Sequence, residues 1–214
     1  MSWMTEQVDI YCERLDPSFW AEPLNAVTNL AFVVAALIMW PRVRGLASGQ
    51  VLCVMLGSIG VASGLFHTFA QGWAGAADVL SIVVYALTYI YLANRDFWGM
   101  RPGWAFVATT GFIPYAAATI PLFARIPGLG GSAQYMPLPV MILAYAVLLR
   151  HRAPGTARGL AIGAAILLLS LMFRTIDLPV CGAVPFGTHF MWHVLNGIML
   201  AWMIEVWRRH VSEP

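Results

Sequence analysis

The chain contains no lysine: all 12 of its basic side chains are arginine, and the formal net charge is only +2. So small a balance gives no basis for a nucleic-acid partner. Charge of either sign is scarce, at 10% of 214 residues, where a soluble domain carries about 25%. Most of this surface therefore faces a solvent that does not reward charge, namely lipid. The opening "MSWMTEQVDIYCERLD" has no basic flank before an apolar core, so no cleavable signal peptide is expected. No motif repeats every 20–50 residues and no linker divides the chain, so residues 1–214 read as one membrane domain.

What is present is hydrophobic: 60% of residues, with a mean hydropathy of +0.73. A membrane-spanning helix needs about 20 mainly apolar residues. Seven such stretches are expected, at 22–40, 49–70, 76–94, 104–123, 134–150, 157–174 and 187–207. Pro137 and Pro139 crowd the start of the fifth, and Arg158 is expected to clip the sixth. The expected fold class is an all-α integral membrane protein, a seven-helix bundle with a 1–21 outer segment and a 208–214 cytoplasmic tail.

Arginine placement gives the orientation. With seven spans, Arg42, Arg44, Arg95, Arg101, Arg150, Arg152, Arg158, Arg208 and Arg209 share one side, leaving Arg14, Arg125 and Arg174 on the other. By the positive-inside rule the first side is cytoplasmic, which puts the N-terminus outside and the C-terminus in the cytoplasm. Trp20, Trp40, Trp73, Trp104 and Trp207 lie near the expected helix ends, as an interfacial belt would.

Ionisable groups within spans cost about 3 kcal/mol or more each, so every one needs a reason. Here they share a depth. His67 ends helix 2 in "SGLFHTFA", with Ser63 four residues earlier on its face. Asp78 opens helix 3 in "GAADVLS", Glu22 opens helix 1 in "WAEPLNAVTN", and His189 and His193 share a face of helix 7 in "GTHFMWHVLNG". Any one of these histidines has an ordinary use as a hydrogen-bonded side chain, and an i, i+4 pair also arises by chance. Together, three imidazoles in one layer resemble a catalytic zinc site, in which three protein ligands leave the fourth position to water. Asp78 is placed to orient and deprotonate that water. His151 and His210 adjoin cytoplasmic arginines and read as solvated.

The Ser-x-x-x-His of "SGLFH", the Asp eleven residues after that His, the His-x-x-x-His of "HFMWH" and the opening "YCERLDPSFWAEPLNAVTN" resemble the alkaline ceramidase family. That family belongs to a superfamily of seven-helix membrane hydrolases that includes the adiponectin-receptor-like proteins. The resemblance runs the length of the chain. It implies zinc on His67, His189 and His193, Asp78 orienting the water, and Ser63 supporting the metal site or the oxyanion. The implied reaction is hydrolysis of ceramide, or another N-acyl membrane lipid, to a long-chain base and a fatty acid. A seven-helix receptor or sensor with a structural zinc site is the alternative, and a transporter fits less well because the inner half of the spans is almost bare of polar residues. A bacterial inner membrane, with the site toward the extracytoplasmic leaflet, is the expected location.

Family members with this N-terminus bind calcium there. The corresponding oxygen donors here are Asp9, the Tyr11 carbonyl, Glu13, Asp16 and Glu22, with Leu15 standing where a polar ligand is usual. An acidic, solvated segment is the other reading. The resemblance also implies a Cys12–Cys181 disulfide; two unpaired exterior thiols are the alternative. Cys53 reads as a small apolar core residue. Asn25 and Asn29 are expected in interhelical hydrogen bonds, Asn196 beside His193, and Arg174 paired with Asp177.

Overall fold

A computed structural model describes residues 3–212. Seven helices are long and apolar enough to cross a membrane: α1 Pro23–Val43, α2 Ala47–Phe69, α3 Gly72–Phe97, α4 Pro102–Phe123, α5 Gly130–Leu149, α6 Pro154–Ile176 and α7 His189–Ser212. No β-strand occurs among the described residues. Four of the seven are interrupted. The turn at Asn29 divides α1, and Gly111 divides α4. A 3₁₀ stretch, Gly130–Tyr135, opens α5 before Pro137 takes the first α-helical position, where its missing N–H costs nothing. A π-helical turn, Ala93–Phe97, closes α3.

The bundle is built around α7. Over half of its most apolar window is buried inside the protein, 56%, against 6% for α4, so α7 is the central helix and α4 the peripheral one. Lipid gives helices little hydrophobic reason to associate, so close packing and side-chain hydrogen bonds must hold them. Gly197 on α7 lets the Ala31 backbone of α1 approach where a Cβ would stand 3.1 Å away. Tyr85 and Tyr89 of α3 donate to the α7 carbonyls of Leu200 and Met203 at 3.2 and 2.9 Å. The Trp202 indole donates to Gly159 of α6 at 2.8 Å, and the Trp207 indole to Asp96 at 2.7 Å.

Three boundaries differ from expectation in ways that matter. The helix α3 starts at Gly72, so Asp78 lies in its second turn instead of opening it. Gln71 is held by an antiparallel bridge to Gln7, and a Cβ on Gly72 would meet the Trp3 carbonyl at 2.3 Å; only glycine lets the N-terminal segment lie there. Arg158 does not clip α6, because Pro154 starts that helix a turn earlier. At the other end α7 continues through Ser212, absorbing Arg208, Arg209 and His210 from the expected tail. The buried Glu205 carboxylate holds Arg208 and Arg209 at 2.8 Å, and basic residues suit a helix C-terminus.

Candidate metal centre

The last turn of α2 and the first two turns of α7 place His67, His189 and His193 together, each 1% exposed or less. One ligand atom from each lies within 4.8 Å of the others, the only such group of three or more among the described residues. Each ring is held differently. The Nδ1 of His67 bonds the Glu22 carboxylate at 2.6 Å, which leaves Nε2 to face the cluster. The Nδ1 of His193 meets the Thr28 hydroxyl at 3.0 Å. That hydroxyl already donates to Leu24 and Asn25 carbonyls, so it accepts from Nδ1, and the His193 Nε2 carries a lone pair. The ring of Tyr11, from the N-terminal segment, stacks on His189 at 3.8 Å.

A buried polar atom with no partner costs about 1–3 kcal/mol. Five such side-chain atoms occur among the described residues, and three belong to this site: His189 Nδ1, His193 Nε2 and Asp78 Oδ1. Asp78 has Ser63, which is 4% exposed, as its hydrogen-bonding neighbour, and His67 and Arg174 lie nearby. Three imidazoles gathered within 4.8 Å, two of them with uncommitted nitrogens, are a donor set that suits zinc. The residues fit the ion.

The acidic N-terminal segment is organised for other partners. The two oxygens of Glu13 accept the Leu24 and Asn25 N–H groups at 2.7 and 2.8 Å, capping α1. Burial pushes the Glu13 carboxyl above its usual range despite those bonds. The Ser18 hydroxyl and N–H hold the exposed Asp16 carboxyl below its usual range. Asp9 is exposed, and burial raises the Tyr11 hydroxyl. Glu22 is committed on both oxygens, to Arg14 at 2.5 Å and to His67 and Asn25 at 2.6 and 3.1 Å. The residues expected to bind calcium are therefore not gathered into one ligand shell, and as placed they do not fit that ion.

Cys12 and Cys181 form a disulfide, and Cys53 is free and buried in α2. Beside the disulfide lies Asp177, 2% exposed, which the sequence paired with Arg174. Its carboxylate instead accepts three backbone N–H groups, Cys12 at 2.9 Å, Thr188 at 2.6 Å and His189 at 2.8 Å, fixing the N-terminal segment and the start of α7 together. Gly187 makes this possible: it has φ +64°, and a Cβ there would meet the Asp177 carboxylate at 2.1 Å. Arg174 lies over the Tyr135 and Trp192 rings and donates to Ser132 at 3.2 Å. Asp177→Ala is expected to strand the three N–H groups and destabilise the protein by about 1–3 kcal/mol for each one left dry. Thermal unfolding in detergent reads this; a wild-type midpoint would contradict it.

Other expectations also shift. Asn25 and Asn29 bond within α1, to Glu22 and to the Asn25 carbonyl, and not between helices. Asn196 donates to Ser170 and Trp192 at 2.8 Å and leaves His193 to Thr28. Sequence reasoning missed Arg14, Thr28 and the role of Asp177. Two carried signals: Thr28 continues the three-residue spacing of Glu22 and Asn25, and Arg14 is the only basic residue before Arg42.

The fold and the site define a helical-bundle membrane protein with a buried three-histidine cluster able to hold a metal ion. No protein-family model and no curated protein matches the chain.

Proposed function

We propose that this protein is an intramembrane zinc amidase that hydrolyses ceramide or a related N-acyl lipid. The observation that carries the reading is the convergence of uncommitted, buried imidazole nitrogens near Asp78, with an apolar cavity in the same bundle. That cavity lies between α3, α5 and α7, and Ile82, Tyr85, Leu138, Met199 and Leu200 help line it. It neighbours the site along two helices: Trp192, beside His193, lines it, and Ile82 follows Asp78 by four residues. So apolar a lining has the chemical character that an acyl chain takes.

His67, His189 and His193 would hold a zinc ion, which when bound would supply Lewis acidity and an activated water. Asp78 takes the proton from the attacking water as its oxygen joins the amide carbon. It then delivers that proton to the nitrogen as the carbon–nitrogen bond breaks, leaving a fatty acid and the amine of the long-chain base. Ser63, the hydrogen-bonding neighbour of Asp78, positions its carboxyl and donates to the oxyanion. Glu22 and Thr28 fix the tautomers of His67 and His193, as outer-shell partners of metal-binding histidines do.

The active site belongs to the extracytoplasmic leaflet of the membrane, with the N-terminus outside. Nine arginines against three support this, and so does the disulfide, which persists in an oxidising compartment. Purified protein is expected to release fatty acid from at least one N-acyl lipid in a panel that includes ceramides. Release from ester lipids alone would overturn the amidase assignment.

A further inference from the structure

The residue that ties the outer segment to the metal centre is Arg14, which is 5% exposed. Its Nε donates to Glu22 at 2.5 Å. One terminal nitrogen donates to the carbonyls of Asp16 and Ser18 at 3.1 and 3.4 Å, and the other to the carbonyl of His67 at 3.2 Å. That last carbonyl is among the orphan acceptors at the end of α2, where a cation is favoured. His67 is thus held at both ends, through its main chain by Arg14 directly and through its ring by the Glu22 that Arg14 grips. A carboxylate and three carbonyls converging on one buried positive group is also the hard-oxygen set that a divalent cation such as calcium takes.

We infer that Arg14 is a built-in cation that positions His67, replacing within the chain the divalent ion that an acidic segment of this kind would otherwise need. The inference rests on the reading of His67, His189 and His193 as a metal centre. Arg14 is a positioning residue: it touches neither the ion nor the substrate. Its planar fork reaches four acceptors at once, which an ammonium on a flexible stem does not do. Two consequences follow. The protein is indifferent to calcium, and loss of the guanidinium vacates a space lined by oxygens that calcium can fill.

The test uses zinc-loaded full-length protein, wild type beside Arg14→Ala and Arg14→Lys, each with calcium and with a calcium-selective chelator. The readouts are zinc loss to a competing chelator and the melting temperature. Wild type is expected to give the same values with and without calcium. Arg14→Ala is expected to lose zinc at least about tenfold more readily, the effect typical of removing a partner behind a metal-binding histidine. Calcium should restore part of that retention, and Arg14→Lys should fall between. Wild-type zinc retention in calcium-free Arg14→Ala would overturn the inference, as would a wild type that needs calcium to keep its zinc. A purely structural role would lower the melting temperature while leaving zinc retention unchanged well below it, and that result also counts against the inference. Should Arg14→Ala not fold, the wild type and Arg14→Lys decide. Should wild type take up no zinc, the metal-centre reading fails first, and a melting temperature raised several degrees by calcium would separately overturn the built-in cation.

Discussion

Asp78→Asn is expected to keep its zinc and lose turnover by about 10²–10⁴-fold, the usual share of a positioned proton-transfer group. The barrier change is about 3–5 kcal/mol at 1.36 kcal/mol per tenfold. The substitution keeps the shape of the side chain and its neighbour Ser63 but removes the ability to accept a proton. None of the three clustered ligand atoms belongs to Asp78, so metal content should not change. Its Oδ1 makes no hydrogen bond, so the folded protein loses little by the exchange. The loss should therefore fall in kcat, with zinc stoichiometry and melting temperature close to wild type. Wild-type turnover would remove Asp78 from the mechanism.

His193→Ala is expected to lose both. Its Nε2 is one of the two uncommitted imidazole nitrogens, and its ring is aimed by the Thr28 hydroxyl. Two imidazoles do not make the three-ligand catalytic site, so zinc should fall from about one per chain to background, with turnover following it. Adding excess zinc should not restore turnover, because the missing element is a ligand. The two variants together separate holding the metal from moving the proton. Full zinc content in His193→Ala would sink the ligand assignment.

How much of this was legible beforehand depended on whether the responsible contacts are local. The seven spans follow from apolar run length, and all seven helices are present. The shared depth of His67, His189 and His193 was visible because their places along helices 2 and 7 put them in one layer, and the structure brings them together. Boundaries were less legible. The start of α3 at Gly72 depends on Gln7 and Trp3, some 65 residues away by numbering, and no pattern within α3 carries that information.

The N-terminal segment shows the limit more sharply. A string of acidic residues reads as a cation site, but composition does not say what each carboxylate meets. Glu13 caps α1, Asp16 closes a turn on Ser18, and Glu22 is spent on Arg14, Asn25 and His67. Asp177 likewise looked like the partner of Arg174 three residues away, yet three backbone N–H groups claim it. The local pair at a wet helix end is worth about 0–1 kcal/mol. Three buried N–H groups left unpaired would cost more than that, and they win.

Removal and return of zinc tests the central claim most directly. Purified protein stripped by a chelator should release no fatty acid from the N-acyl lipid that the untreated protein hydrolyses. Titrated zinc should restore release in proportion to metal bound, reaching its plateau near one ion per chain. Hydrolysis that persists in fully stripped protein would contradict the account, and so would a folded, zinc-saturated sample that cleaves no N-acyl lipid.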